Sequence, residues 1–157
     1  MVNTPPDRIK HLEFLQATIA RQASHSFAIK GWALTVSTAI YAYTAAHLTW
    51  WLAVVALLPA GAFAWLDAFY LRQERLFREL YQDASLPDSP VRVFDMNTAI
   101  YQHGKSFPRC SYRSVCGSKT WLVLHLVIAF VGLLLLGIAI VQRFHVTVPP
   151  HGICHLS

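Results

Sequence analysis

Charge is what this chain has least of. Only 13% of its 157 residues are Asp, Glu, Lys or Arg, about half the share of roughly 25% usual in soluble domains. None stands between Lys30 and Asp67, and none between Lys119 and Arg143. The core of a soluble domain this short cannot cover charge-free runs of 36 and 23 residues. A bilayer suits them, since its hydrocarbon layer takes about 20 apolar residues per helix. The scarcity of charge excludes a soluble globular protein and predicts an all-α integral membrane protein.

Cysteine is scarce as well. Cys110, Cys116 and Cys154 do not make a disulfide framework, and the first two fall on the side expected to be cytoplasmic, where thiols stay reduced. The pattern of a secretory signal is also missing. The first charge-free run begins behind Asp7, Lys10, Glu13, Arg21 and Lys30, whereas a signal is N-terminal and closed by a small-residue cleavage site. The N-terminus is therefore expected to be retained and cytoplasmic. Last, no set of acid, base and nucleophile can be assembled from Asp95, His103 and Cys110. The expectation is a protein without catalysis or cofactor.

What the chain does have is 55% apolar residues. A straight helix over 31–66 would be about 54 Å long, too long for a hydrocarbon layer of about 30 Å. A hairpin fits better, with spans Gly31–Ala46 and Trp50–Leu66 and a turn at His47, Leu48 and Thr49. The third span is Thr120–Gln142, giving three transmembrane helices, a hairpin plus one. Of the 13 Lys and Arg residues, all but Arg143 lie before residue 31 or between 67 and 119. By the positive-inside rule those segments are cytoplasmic and the tail from Arg143 is external. The tryptophans agree: Trp32, Trp65 and Trp121 come out at the cytoplasmic edge, Trp50 and Trp51 at the outer one. The expected divisions are an N-terminal helix (1–30), the hairpin (31–66), a stalk and basic loop (67–119), the third span (120–142) and an external tail (143–157).

Outside the spans, Thr4-Pro5-Pro6-Asp7 reads as a helix start, with Thr4 as cap. Leu12, Leu15 and Ile19 then form a modest apolar stripe, predicting an amphipathic helix from about Pro5 to Ser26 that runs into the first span. Beyond the second span the helix should continue as a stalk. Glu74 and Arg78 pair four apart in the favoured order, and Leu66, Tyr70, Gln73, Phe77 and Leu80 fall along one side. Pro87 to Pro90 end it. Val91–Phe94 is expected as a short strand, and the rest to Lys119 as irregular.

Several groups invite chemistry. His151, Cys154 and His155 lack the paired spacing of a zinc site. His103, Cys110 and Cys116 are read as incidental, and Arg21 with His25 as no nuclease. Arg92, Lys105, Arg109 and Arg113, interleaved with Phe94, Tyr101, Phe107 and Tyr112, are candidates for an anion or ligand contact. Nucleic acid is disfavoured against topology and attraction to membrane lipids, about 1 kcal/mol per charge near the surface. In the spans, Ala56, Ala60 and Ala64 beside Gly61 make a small-residue ladder for helix packing. Ser37, Tyr41 and Thr44 are candidates to line a pore, with packing favoured. His125 is the titratable group deepest in the third run, and such a residue faces a partner or a cavity.

Two stretches, LEFLQATIARQASHSFAIKGWALTV (12–36) and WLDAFYLRQERLFRELY (65–81), continued by FDMNT (94–98) and SKTWLVLH (118–125), resemble the RipA family of small bacterial inner-membrane proteins. The pattern is also similar to two-span effector modules of nucleotide-signalling defence systems. The resemblance implies a homo-oligomer, an octamer, in the cytoplasmic membrane with a cytoplasmic ring of helices. It implies no catalytic residues. Asp67, Arg72, Glu74, Arg75, Arg78 and Tyr81 match best, and the resemblance casts them as neck residues that pair between subunits. Two functions are expected from this. The first is a membrane scaffold or regulated pore. The second is a membrane-anchored sensor or adaptor whose basic loop binds a nucleotide, an anionic lipid or a protein.

Overall fold

The computed structural model describes residues 5–102 and 106–146, and all regular structure among them is helical. Thr4, expected as a helix cap, lies outside this range, as do His103, Lys105 and the tail residues His151, Cys154 and His155. Helix α1 spans Pro6–Ala46. Pro5 precedes it and Pro6 opens it, where a missing N–H costs nothing, and Asp7 lies at the positive end of the dipole. The chain turns at 47–49, as expected, and α2 runs back over Trp50–Ser85. Pro59 sits inside α2 without ending it, at the loss of one backbone hydrogen bond. Pro87 then stops the helix.

The two long helices pack along each other. On α1 the buried positions are His11, Leu15, Thr18, Ser26, Ile29, Ala33, Ser37, Tyr41 and Thr44, mostly three or four residues apart, the spacing of a single helix face. On α2 they are Ala53, Ala56, Ala60, Asp67, Ala68, Leu76, Leu80 and Ala84. The stalk therefore packs on α1 of the same chain, with Leu76 rather than Leu66 or Gln73 at the centre of its buried row. At the charged end Leu15, Leu76, Leu80, Ala84, Tyr101 and Cys110 form one core. At the apolar end Ala33, Tyr41, Ala56, Ala60 and Ile128 form another. The N-terminal part of α1 is less cleanly amphipathic than its stripe suggests, because Ile9, Phe14 and Phe27 are exposed.

After α2 come two short 3-10 turns, Ala99–Gln102 and Pro108–Cys110, and the short helix α3, Tyr112–Cys116. Val91–Phe94 is turn and not the expected strand. Among the described residues no other strand exists to pair with it, and an isolated strand leaves its backbone groups unpartnered. Phe94 instead takes φ 65, a left-handed conformation that costs a non-glycine residue about 1–2 kcal/mol. Its ring lies 6.1 Å from those of His11 and Phe14, and the next carbonyl, of Asp95, accepts from His11 Nε2 at 3.0 Å.

Helix α4, Lys119–Val146, lies mainly against α2 and less against α1. Two helices, α2 and α4, are long and apolar enough to cross a membrane. The first expected span, in α1, is not one of them. Its charge-free half carries Thr35, Ser37, Thr38, Tyr41, Tyr43 and Thr44, which lower its hydropathy.

Candidate functional site: a carboxylate shared by three helices

Where α1, α2 and α4 meet, the carboxylate of Asp67 is completely buried. Each helix supplies part of its environment. Ser26 and Lys30 stand four apart on one face of α1, so both reach across to α2. Oδ1 of Asp67 accepts from Ser26 Oγ at 2.5 Å and from Lys30 Nζ at 2.6 Å. Lys30 also donates to Ser26 Oγ at 2.7 Å, which closes a triangle. Oδ2 is held from α4, with His125 Nε2 at 3.1 Å. The carboxylate accepts, so Nε2 carries the proton. Trp121, one turn before His125, packs its ring 4.9 Å from the imidazole and donates Nε1–H to the Ala64 carbonyl at 3.1 Å.

A buried charge is tolerated only when paired and hydrogen-bonded. Asp67 has both, one ammonium for its charge and three donors for its oxygens. The arrangement ties three helices together. A serine nucleophile needs a base to take its proton. Ser26 instead donates a hydrogen bond to an already paired carboxylate and accepts one from a charged ammonium. No three His, Cys, Asp or Glu side chains gather to hold a metal among the described residues.

The other neck residues are likewise engaged within the chain, where pairing between subunits was expected. Arg72 Nε donates to the Cys110 carbonyl at 2.9 Å, and its guanidinium lies 4.7 Å from the centre of the Tyr112 ring. Arg75 Nη1 donates to the Arg109 carbonyl at 2.9 Å and to Ser114 Oγ at 3.1 Å. Glu74 and Arg78 pair along the helix at 2.6 Å, and Tyr81 accepts from Gln16 Nε2 at 2.9 Å. The reason is geometric: the loop after α2 folds back on the stalk and presents carbonyl oxygens to arginines that sequence spacing leaves facing outward.

The candidate pore residues also turn inward. Ser37, Tyr41 and Thr44 are all buried. Tyr41 donates to the Ile128 carbonyl at 3.1 Å and Thr44 to the Ile40 carbonyl at 2.8 Å. Only the Tyr41 bond ties α1 to another helix, α4; the Thr44 bond stays within α1 and Ser37 Oγ has no partner among the described residues. The small-residue ladder divides: Ala56 and Ala60 are buried at the helix contact, whereas a side chain at Gly61 would meet open space. Of the basic candidates, Arg92, Arg109 and Arg113 are exposed. Arg21 stays by Thr18, and His25 packs on Tyr70 with ring centres 5.3 Å apart.

Sequence reasoning missed Ser26 and Lys30 as partners of Asp67. The signal available was an aspartate at the very edge of a charge-free run, with a serine and a lysine four apart at the edge of its antiparallel partner.

The loop gives one test. Cys110 is 1% exposed, and burial, aided by nearby Glu79, pushes its thiol up. The thiolate is the reactive form. With Cys154 replaced by serine, iodoacetamide should modify partly exposed Cys116 at least about tenfold faster than Cys110 in the folded protein, as read by peptide mass spectrometry. Equal rates would show that the loop is not seated on the stalk. Tyr101, whose hydroxyl donates to Asp83 at 2.7 Å, has its phenol pushed up by burial and then by that carboxylate.

The fold and site define an all-α protein with two helices suited to a membrane and a buried ionic clasp where they meet a third. No family model matches the chain, and no curated protein or solved structure matches it either.

Proposed function

We propose that this protein is a non-enzymatic, homo-oligomeric scaffold of the bacterial inner membrane. In this reading it has three spans, with its N-terminus and the 67–119 lobe cytoplasmic and its C-terminus external. The observation that carries the reading is the outer face of α1. Gly31, Thr35, Thr38, Ala42 and Ala45 recur at helical spacing, and all are exposed in the single chain. A face of small and hydroxyl-bearing residues is a poor surface for lipid and a good one for close approach of another helix. A helix too polar to cross alone is completed by α2 on one side and by a neighbouring subunit on the other. The scaffold is preferred to the pore because Tyr41 and Thr44, offered for a pore, are hydrogen-bonded inside the chain. The RipA resemblance sets the proposed subunit number at eight.

The test is the oligomeric mass of the full chain in mild detergent. The wild type should run as one discrete oligomer, and the double variant Thr38→Leu/Ala42→Phe should run as a monomer or dimer with unchanged helical content. A wild-type monomer would end the scaffold reading.

A further inference from the structure

Between α2 and α4 lies an apolar recess of about 310 Å³, lined among others by Leu57, Gly61, Ala64, Leu126 and Ala129. That is at the lower end of the size of ligand sites, roughly 300–1,000 Å³. Gly61 keeps it open, since nothing lies within 4 Å of where its Cβ would be. Trp121 and His125 also line it.

Charge names the occupant. Lys119 lies seven residues before Leu126 on the same face of α4, two turns toward the charged end of the bundle. The first backbone bond of α4 runs from Leu122 N–H to the Ser118 carbonyl, so the positive end of the helix dipole lies at Lys119. Arg109, Arg113 and Lys119 are all exposed, and no Asp or Glu follows Asp95 in the whole chain. Arg72 and Arg75 grip the carbonyls of Cys110 and Arg109, which holds this cationic segment in place. An anionic group above and a hydrocarbon chain below make an amphiphile with one negative head.

We propose that the α2–α4 seam binds an anionic phospholipid of the cytoplasmic leaflet. Its phosphate rests on Lys119 and the start of α4, and one acyl chain fills the recess beside Gly61. Arg109 and Arg113 add to the attractive field. The site rests on the reading that α4 crosses the membrane and is independent of subunit number.

Native mass spectrometry of the full chain in nonionic detergent tests it, with phosphatidylglycerol and phosphatidylcholine of identical chains as probes. The wild type should prefer phosphatidylglycerol about fivefold, the ~1 kcal/mol of one cation near an anionic surface. Lys119→Gln should bring that preference close to parity. Gly61→Leu, which has room to fold normally, should weaken both lipids alike by several fold. Arg143→Gln, at the other end of α4, should change neither. A preference that survives Lys119→Gln, or affinities untouched by Gly61→Leu, would overturn the site. The same spectra count subunits, so failure of the scaffold appears separately, as a monomer mass with lipid binding intact.

Discussion

Asp67→Ala should lower the free energy of unfolding by about 3–5 kcal/mol, the range for breaking a buried ion pair from one side. The side chain is completely buried, and its removal strands three donors at once. Lys30, whose side chain is 17% exposed, loses its counter-charge in a place where water reaches it poorly. Ser26 and His125 lose their acceptors, each at about 1–3 kcal/mol if left unsatisfied, though these costs overlap with the first. The change should also loosen α4, because His125 ties that helix to Asp67. Unfolding in mixed micelles measures the first effect and limited proteolysis near Gly117 the second. The double variant Asp67→Ala/Lys30→Met should recover part of the loss, since it removes the unpaired charge as well as its partner. A loss below about 1 kcal/mol for Asp67→Ala would mean that the clasp is not formed as described.

Gly132→Leu should be nearly as damaging, for a steric reason. A Cβ on Gly132 would lie 2.5 Å from Leu57 Cδ2 and 2.6 Å from the Tyr41 hydroxyl oxygen, with the ring carbon Cζ at 3.0 Å. The leucine end can swing aside. The tyrosine ring cannot do so cheaply, because its hydroxyl is bonded to the Ile128 carbonyl at 3.1 Å. Overpacking costs about 1–3 kcal/mol and the lost hydrogen bond about 0.5–1.5 kcal/mol more, so roughly 2–4 kcal/mol is expected in all. Gly137→Leu is the matched control. Nothing lies within 4 Å of its Cβ, and it should stay within about 0.5 kcal/mol of the wild type. Equal costs at the two glycines would contradict the packing of α4 against Tyr41.

Much of the framework was legible because charge placement is a one-dimensional signal. The edges at Lys119 and Arg143 nearly bound α4, whereas Lys30 and Asp67 fall midway along α1 and α2; the turn at 47–49 follows from length alone. What joins those helices was harder to read. Ser26, Lys30, Asp67 and His125 lie up to 99 residues apart, and only folding shows that they share one point. The sequence singles out Asp67 and His125 separately, and nothing in their spacing shows that they are each other's partners. Gly132 was invisible for a related reason. Ala129 stands three positions before it, but what demands glycine at 132 is the Tyr41 ring on another helix. Val91–Phe94 misled because alternation of apolar residues signals a strand only where a second strand is present.

The continuity of α2 has a mechanical consequence. Asp67, where three helices are pinned, stands 17 residues from Trp50 and 18 from Ser85, which puts about 26 Å of rod on one side and about 27 Å on the other. A tilt of such a helix about that point would be that of a balanced beam. A tilt about the clasp displaces its two ends by nearly equal amounts in opposite directions, with no mechanical advantage to either.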